Sequence, residues 1–90
     1  MLKLEVFSSP GCGKCAQGKA LLKAVAEELG PDQVSWREVN ILEEMDYAVE
    51  LGVMASPAIA IDGKLVFVSL PNANKLRAEL RKRLGQARLR

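Results

Sequence analysis

The fold is decided between Leu2 and Cys15, where the chain reads Leu2-Lys3-Leu4-Glu5-Val6-Phe7-Ser8-Ser9-Pro10-Gly11-Cys12-Gly13-Lys14-Cys15. Apolar Leu2, Leu4, Val6 and Phe7 suit a short strand over Leu2 to Phe7. Ser8-Ser9-Pro10-Gly11 breaks the pattern and introduces a loop. From Gly13 the apolar spacing becomes helical: Leu21, Val25 and Leu29 recur at every fourth position, with Leu22 and Ala26 beside them. Gly30-Pro31 ends that helix, a glycine suited to a left-handed cap followed by a residue that cannot continue it. Cys12 and Cys15 therefore stand at the join of a strand and a helix.

Downstream the alternation continues. Gln33 to Val39 reads as a second strand with Val34, Trp36 and Val39 packing. Asn40 can cap a second helix with Glu43 as its capping-box partner, and Met45, Ala48 and Val49 give that helix an apolar side before Gly52 ends it. Ala58 to Ile61 and Lys64 to Val68 are strands separated by Asp62-Gly63, a strong hairpin signal because both turn positions need positive φ. Pro71-Asn72 opens a last helix with Leu76, Leu80 and Leu84 along one face. The order βαβαββα calls for a four-stranded mixed α/β sheet with helices on both faces, its first two strands parallel through a right-handed crossover.

Ninety residues with 49% hydrophobic and 27% charged side chains fit one domain, residues 1–90, with no internal repeat or linker. A net charge of +2 is too small for a dedicated nucleic-acid binder. No apolar run approaches the roughly 20 residues that span a bilayer, and the N-terminus lacks the basic-then-apolar pattern of a signal peptide. The expectation is a cytoplasmic, monomeric protein that binds neither membrane nor nucleic acid. With no histidine in the chain, Ser-His and Cys-His catalysis and His-containing metal sites are excluded. With only two cysteines, a disulfide-rich secreted scaffold is excluded as well.

The cysteine pair carries the chemistry. Three residues is about one helical turn, which brings both sulfurs to one side and their Cα atoms near the roughly 5.5–6 Å a disulfide prefers. A thiol at a helix N-terminus sees unpaired N–H groups and the positive end of the dipole, and Lys14 adds a nearby cation. Cys12 is thus the expected nucleophile with a lowered pKa, Lys14 the residue that tunes it, and Cys15 the more buried thiol that resolves the mixed disulfide. Inert core thiols, a redox sensor, or a Cu(I) or Zn site using the same two sulfurs are the alternatives. The flanking glycines, Pro10 and Lys14 make an exposed loop that suits inert thiols poorly. Heavy-metal carrier domains also set C-x-x-C between a first strand and helix, but they end in a strand, whereas this chain ends in a helix. No cofactor is called for.

Ser56-Pro57 precedes the third strand, where a proline is tolerated because its missing N–H need not join the ladder. A cis peptide beside the cysteine loop, freeing the Ser56 backbone to pair with an extended substrate, is the functional reading. The residues alone leave both open. The order strand, Cys12-Gly13-Lys14-Cys15, helix, strand, helix, Ser56-Pro57, hairpin, helix resembles the minimal thioredoxin/glutaredoxin fold over nearly the whole chain. The run Gly52-Val53-Met54-Ala55-Ser56-Pro57-Ala58-Ile59-Ala60-Ile61-Asp62-Gly63-Lys64 resembles small prokaryotic thioredoxin-like proteins. The resemblance implies a cis Pro57 facing the cysteines and a substrate groove along Met54, Ala55 and Ser56. It also implies a protein disulfide oxidoreductase, whose partners are protein disulfide substrates and a disulfide reductase.

The chain departs from thioredoxins proper at three places: Gly11 replaces a Trp, Lys14 a Pro, and Val6 a buried Asp that accepts the resolving thiol's proton. Water, Lys14 or a carboxylate such as Glu38 is left for that task. Where glutaredoxins hold glutathione with a glycine pair and an Asp, this chain has Ser69-Leu70-Pro71-Asn72. The cations from Lys75 to Arg90, including Arg88, read as a solvated helix face, and Trp36 and Tyr47 as packing residues.

Overall fold

In the computed structural model, which describes residues 2–88 with side chains through Gly85, seven elements follow in the order read above. They are β1 (Leu2–Ser8), α1 (Cys15–Leu29), β2 (Val34–Asn40), α2 (Met45–Leu51), β3 (Ala58–Ile61), β4 (Lys64–Phe67) and α3 (Ala73–Arg88). Met1 and the last cation, Arg90, lie outside the described residues, as does the side chain of Arg88.

The strands form one mixed sheet in the order β2-β1-β3-β4. β1 and β2 are parallel from Leu2↔Val34 to Ser8↔Asn40, while β3 runs antiparallel to both β1 and β4. Alternation along the strands sorts two cores. Leu2, Leu4 and Val6 of β1 meet Val34 of β2, Ile59 and Ile61 of β3, Leu22 and Val25 of α1, and Leu76 and Leu80 of α3. On the opposite face Phe7, Val39, Ala58 and Ala60 pack beneath Ala48 of α2. Helices thus cover both faces, as the sequence implies.

Local details confirm most of the reading and correct part of it. Asp62 and Gly63 both take positive φ, 51° and 79°, so the hairpin turn is the tight one expected of Asp-Gly. The turn is clamped because the Lys3 amide donates to Asp62 Oδ1 and the Asp62 amide donates to the Lys3 carbonyl, both at 2.8 Å. Asn72 caps α3, its Oδ1 accepting from the Lys75 amide at 2.8 Å.

Two expectations are corrected. Asn40 does not cap α2: its Oδ1 accepts from the Leu42 amide at 2.9 Å, and its carbonyl accepts from Glu43 and Glu44. This closes a separate turn, and the helix starts later, at Met45. Nor do Met45 and Val49 form its buried side. Both are exposed, and the seven-residue helix rests on Ala48, with Tyr47 and Leu51 alongside.

Candidate active site

The register of the sheet gathers the sequence-predicted residues. β1 ends at Ser8 and leads into the cysteine loop, while β3, antiparallel to it, begins at Ala58 opposite Phe7. Pro57, one residue before Ala58, is therefore delivered to the same end of the sheet as Cys12 and Cys15. The Ser56-Pro57 bond is cis, as the resemblance implies. Pro57 is buried, Ser56 half-buried and Ala55 exposed, while Met54 reaches 96% exposure.

Two contacts join the loops, and neither was legible in the sequence. The hydroxyls of Ser9 and Ser56 lie 2.7 Å apart in a hydrogen bond. Gly18, on the second turn of α1, leaves room for both strand and loop: a Cβ there would lie 3.3 Å from Val6 Cγ2 and 3.4 Å from Pro57 Cβ and Leu70 Cδ1. A side chain at that position would push on Pro57.

Cys12 and Cys15 are joined in a disulfide, with S–S 2.07 Å and Cα atoms 5.5 Å apart. The helix begins at Cys15 rather than at Gly13, so Cys12 sits in the turn ahead of it, its amide donating to the Ser9 carbonyl at 3.2 Å. Cys12 is half-buried, and Cys15 is 7% exposed. Cys15 is thus the more covered of the two. Lys14 occupies the N-cap position of α1, where no side chain bonds the first-turn amides, and its own side chain is exposed. Those amides remain a source of positive potential close to both sulfurs.

Cys15 borders a cleft of about 430 Å³ whose walls include Ser9, Pro10, Glu38, Glu43 and Glu44. Behind Ala55 a smaller apolar hollow of about 240 Å³ is lined by Met54, Ala58, Leu65 and Val68. Another hollow, of about 680 Å³, lies at the far end of the sheet, around Lys3, Glu5, Arg37, Tyr47 and Asp62, away from the cysteines. There Glu5, buried on the α2 face, accepts from Arg37 at 2.8 Å and from the Tyr47 hydroxyl. Tyr47 is thus a polar partner as well as the packing residue the sequence suggests. Among the described residues no three of His, Cys, Asp and Glu gather closely enough to hold a metal ion.

Known proteins agree with this geometry. The Thioredoxin domain family model matches residues 2–81. A thioredoxin of Methanocaldococcus jannaschii is 37% identical over 83 residues, which is 92% of this chain and 96% of that one. Among solved structures, a protein disulfide oxidoreductase from Aeropyrum pernix superposes with a TM-score of 0.76 at 30% identity, over 88% of this chain and 35% of the other. A mutant thioredoxin from Halobacterium salinarum gives a TM-score of 0.75 over 90% of this chain and 73% of its own; at 22% identity that likeness speaks for the fold. A cysteine pair that closes at the head of a helix, in this sheet and with these relatives, defines a thiol–disulfide oxidoreductase. More particularly, the chain belongs to the thioredoxin family, and its Cys12-Gly-Lys-Cys15 couple exchanges with protein disulfides.

Proposed function

We propose that the protein is a reductant of protein disulfides, with Cys12 as the attacking thiolate and Cys15 as the resolving thiol. The observation that carries this assignment is the unequal burial of the two sulfurs at the head of α1: Cys12 is reachable, and Cys15 is covered. In the first step the Cys12 thiolate attacks a substrate disulfide. A Cys12–substrate bond forms, the substrate S–S bond breaks, and the departing thiolate takes a proton from solvent. In the second, Cys15 loses its proton and attacks the Cys12 sulfur; the Cys12–Cys15 bond forms and the second substrate thiolate leaves. Two electrons pass to the substrate, and a disulfide reductase supplies two more to reduce the Cys12–Cys15 bond again.

Ala55 and Ser56 present backbone to an extended substrate beside the cysteine loop, to which Ser56 is joined by its hydrogen bond with Ser9. Exposed Met54 and the apolar hollow beside it offer substrate side chains a place to rest. Lys14, one residue from Cys15 and two from Cys12, favours the thiolate by its charge. The protein works in the cytoplasm as a monomer. Among the described residues no helix is long and apolar enough to cross a membrane.

Equilibration in dithiothreitol redox buffers, followed by alkylation and mass measurement, tests the couple. A single two-electron transition is expected, absent in Cys12→Ser and in Cys15→Ser. A midpoint near roughly −270 mV fits a reductant, and one near roughly −120 mV would make the protein an oxidant instead. Absence of an intramolecular disulfide in every buffer would overturn the proposal.

A further inference from the structure

The second step sets a chemical demand. A thiol with an ordinary pKa of about 8.5 is largely protonated at neutral pH, and a buried one more so, so Cys15 needs a nearby group to take its proton. The sheet beneath α1 offers little. Leu2, Leu4 and Val6 on β1, Val34 and Trp36 on β2, and Ile59 and Ile61 on β3 make that face apolar. Alternation puts one charged side chain on the same row of β2, two residues beyond Trp36: Glu38.

Glu38 lies opposite Val6 in the β1–β2 register, and Val6 borders Gly18, three residues after Cys15 on α1. Its Oε1 is 3.8 Å from Lys19 Nζ, one helical turn after Cys15. Glu38 and Cys15 line the same cleft, whose volume of about 430 Å³ is ample for several waters. A charge in an otherwise apolar row is costly unless it is solvated or paired, and here the cleft and Lys19 supply both.

We infer that Glu38 accepts the Cys15 proton through water in this cleft when the mixed disulfide is resolved. The proton leaves Cys15 Sγ as the sulfur attacks Cys12, resides on the Glu38 carboxyl, and passes to solvent afterwards. The inference rests on the assignment of Cys15 as the resolving thiol. The other charged groups around the cleft are less suited. Glu44 is held by Arg37 at 3.2 Å on the α2 side. Glu43 stands in the turn before α2, off the β2 row beneath α1, and Lys14 is a cation in the loop itself, with no lone pair to accept a proton.

The test is single-turnover stopped flow of the reduced protein with a limiting amount of dithiobisnitrobenzoate, whose two coloured thiolates report attack and resolution separately. Glu38→Gln is expected to leave the attack phase unchanged and to slow resolution by about tenfold or more near neutral pH. In that variant the resolution rate should climb with hydroxide, whereas the wild type and Glu38→Asp, which keep a carboxylate, should share a flatter pH profile. Glu43→Gln should resolve within about twofold of wild type, and thermal melting of Glu38→Gln should show a folded protein. Wild-type resolution by Glu38→Gln across pH 5–8, or slowing of the attack phase alone, would overturn the inference. The assignment of Cys15 is checked separately, because Cys15→Ser must accumulate the mixed disulfide at Cys12. If it does not, the assignment fails whatever Glu38 does.

Discussion

Gly18 offers a direct test of how the fold positions Pro57. Replacing it by alanine gains about 1 kcal/mol of helix propensity, since glycine is the poorest ordinary residue in a helix interior. Against that gain stand three contacts at 3.3, 3.4 and 3.4 Å, to Val6, Pro57 and Leu70. Leu70 sits in the half-buried segment before α3 and has rotamer freedom to yield. Val6 is fully buried in a central strand, and Pro57 is buried at the head of β3, so neither yields easily. The two terms nearly cancel, and Gly18→Ala should lie within about 1 kcal/mol of wild type. Gly18→Val adds two methyls to a site with no room for them, and overpacking of that kind costs about 1–3 kcal/mol. For a domain of this length, a loss of about 2 kcal/mol lowers Tm by roughly 8–16 °C. Thermal unfolding followed by circular dichroism, together with insulin-disulfide reduction on the same samples, reads both stability and the placement of Pro57. Gly18→Val should lose activity even well below its Tm. A valine variant as stable and active as the alanine one would show that Gly18 is not a spacer between α1 and the Pro57 loop.

Two further outcomes rest on the polar cluster at the far end of the sheet. Arg37→Ala leaves the buried Glu5 carboxylate with Tyr47 as its remaining partner and should cost about 1–3 kcal/mol, whereas Lys19→Ala breaks an exposed pair and should cost about 0–1 kcal/mol. Urea midpoints compare them directly, and equal losses would refute the ranking. The Tyr47 pKa is raised, first by its hydrogen bond to Glu5 and then by burial. Its contribution to stability is therefore complete below the ordinary tyrosine value of about 10 and is lost as pH rises through the higher folded value. The chain has one tyrosine, so phenolate absorbance reports this group alone, and an unshifted titration in the folded protein would refute the prediction.

The main elements were readable because local signals and long-range packing agree. Leu76 and Leu80 recur at helical spacing and are fully buried, and Asp62-Gly63 adopts the positive φ pair its chemistry favours. The cysteine pair was readable for the same reason: its spacing alone brings the sulfurs within bonding reach. α2 was misread where two local patterns compete. Asn40 and Glu43 have the spacing of a capping box, yet the Asn40 side chain turns to the Leu42 amide and spends itself on an isolated turn. Met45 and Val49 fit a helical stripe, but a helix of seven residues touches the sheet along too short a line to bury them.

The long-range polar contacts had no sequence signal. Ser9 meets Ser56 across 47 positions, and Glu5 finds Arg37 and Tyr47 across 32 and 42. Nothing local marks such pairs, since they exist only once the sheet order is set. Glu38 shows an intermediate case: its character as a base is visible in the sequence, but the cleft it shares with Cys15 is a property of the β1–β2 register and the start of α1.

The strand order β2-β1-β3-β4 also has a consequence for how copies of this molecule behave in a crowded solution. Two strands flank the sheet with one side unpaired, and such borders are where foreign chains dock and aggregates start. On β4 the stretch open to a newcomer is four residues long, begins at exposed Lys64, and slips register so that Val66 has no partner opposite. On β2 the longer border carries Arg37 and Glu38 at successive positions, both exposed and each tied to a neighbour of opposite charge. A newcomer strand would have to strip water from those ions or contend with a kinked ladder, so the apolar strands β1 and β3 at the centre are shielded from adhesion between molecules.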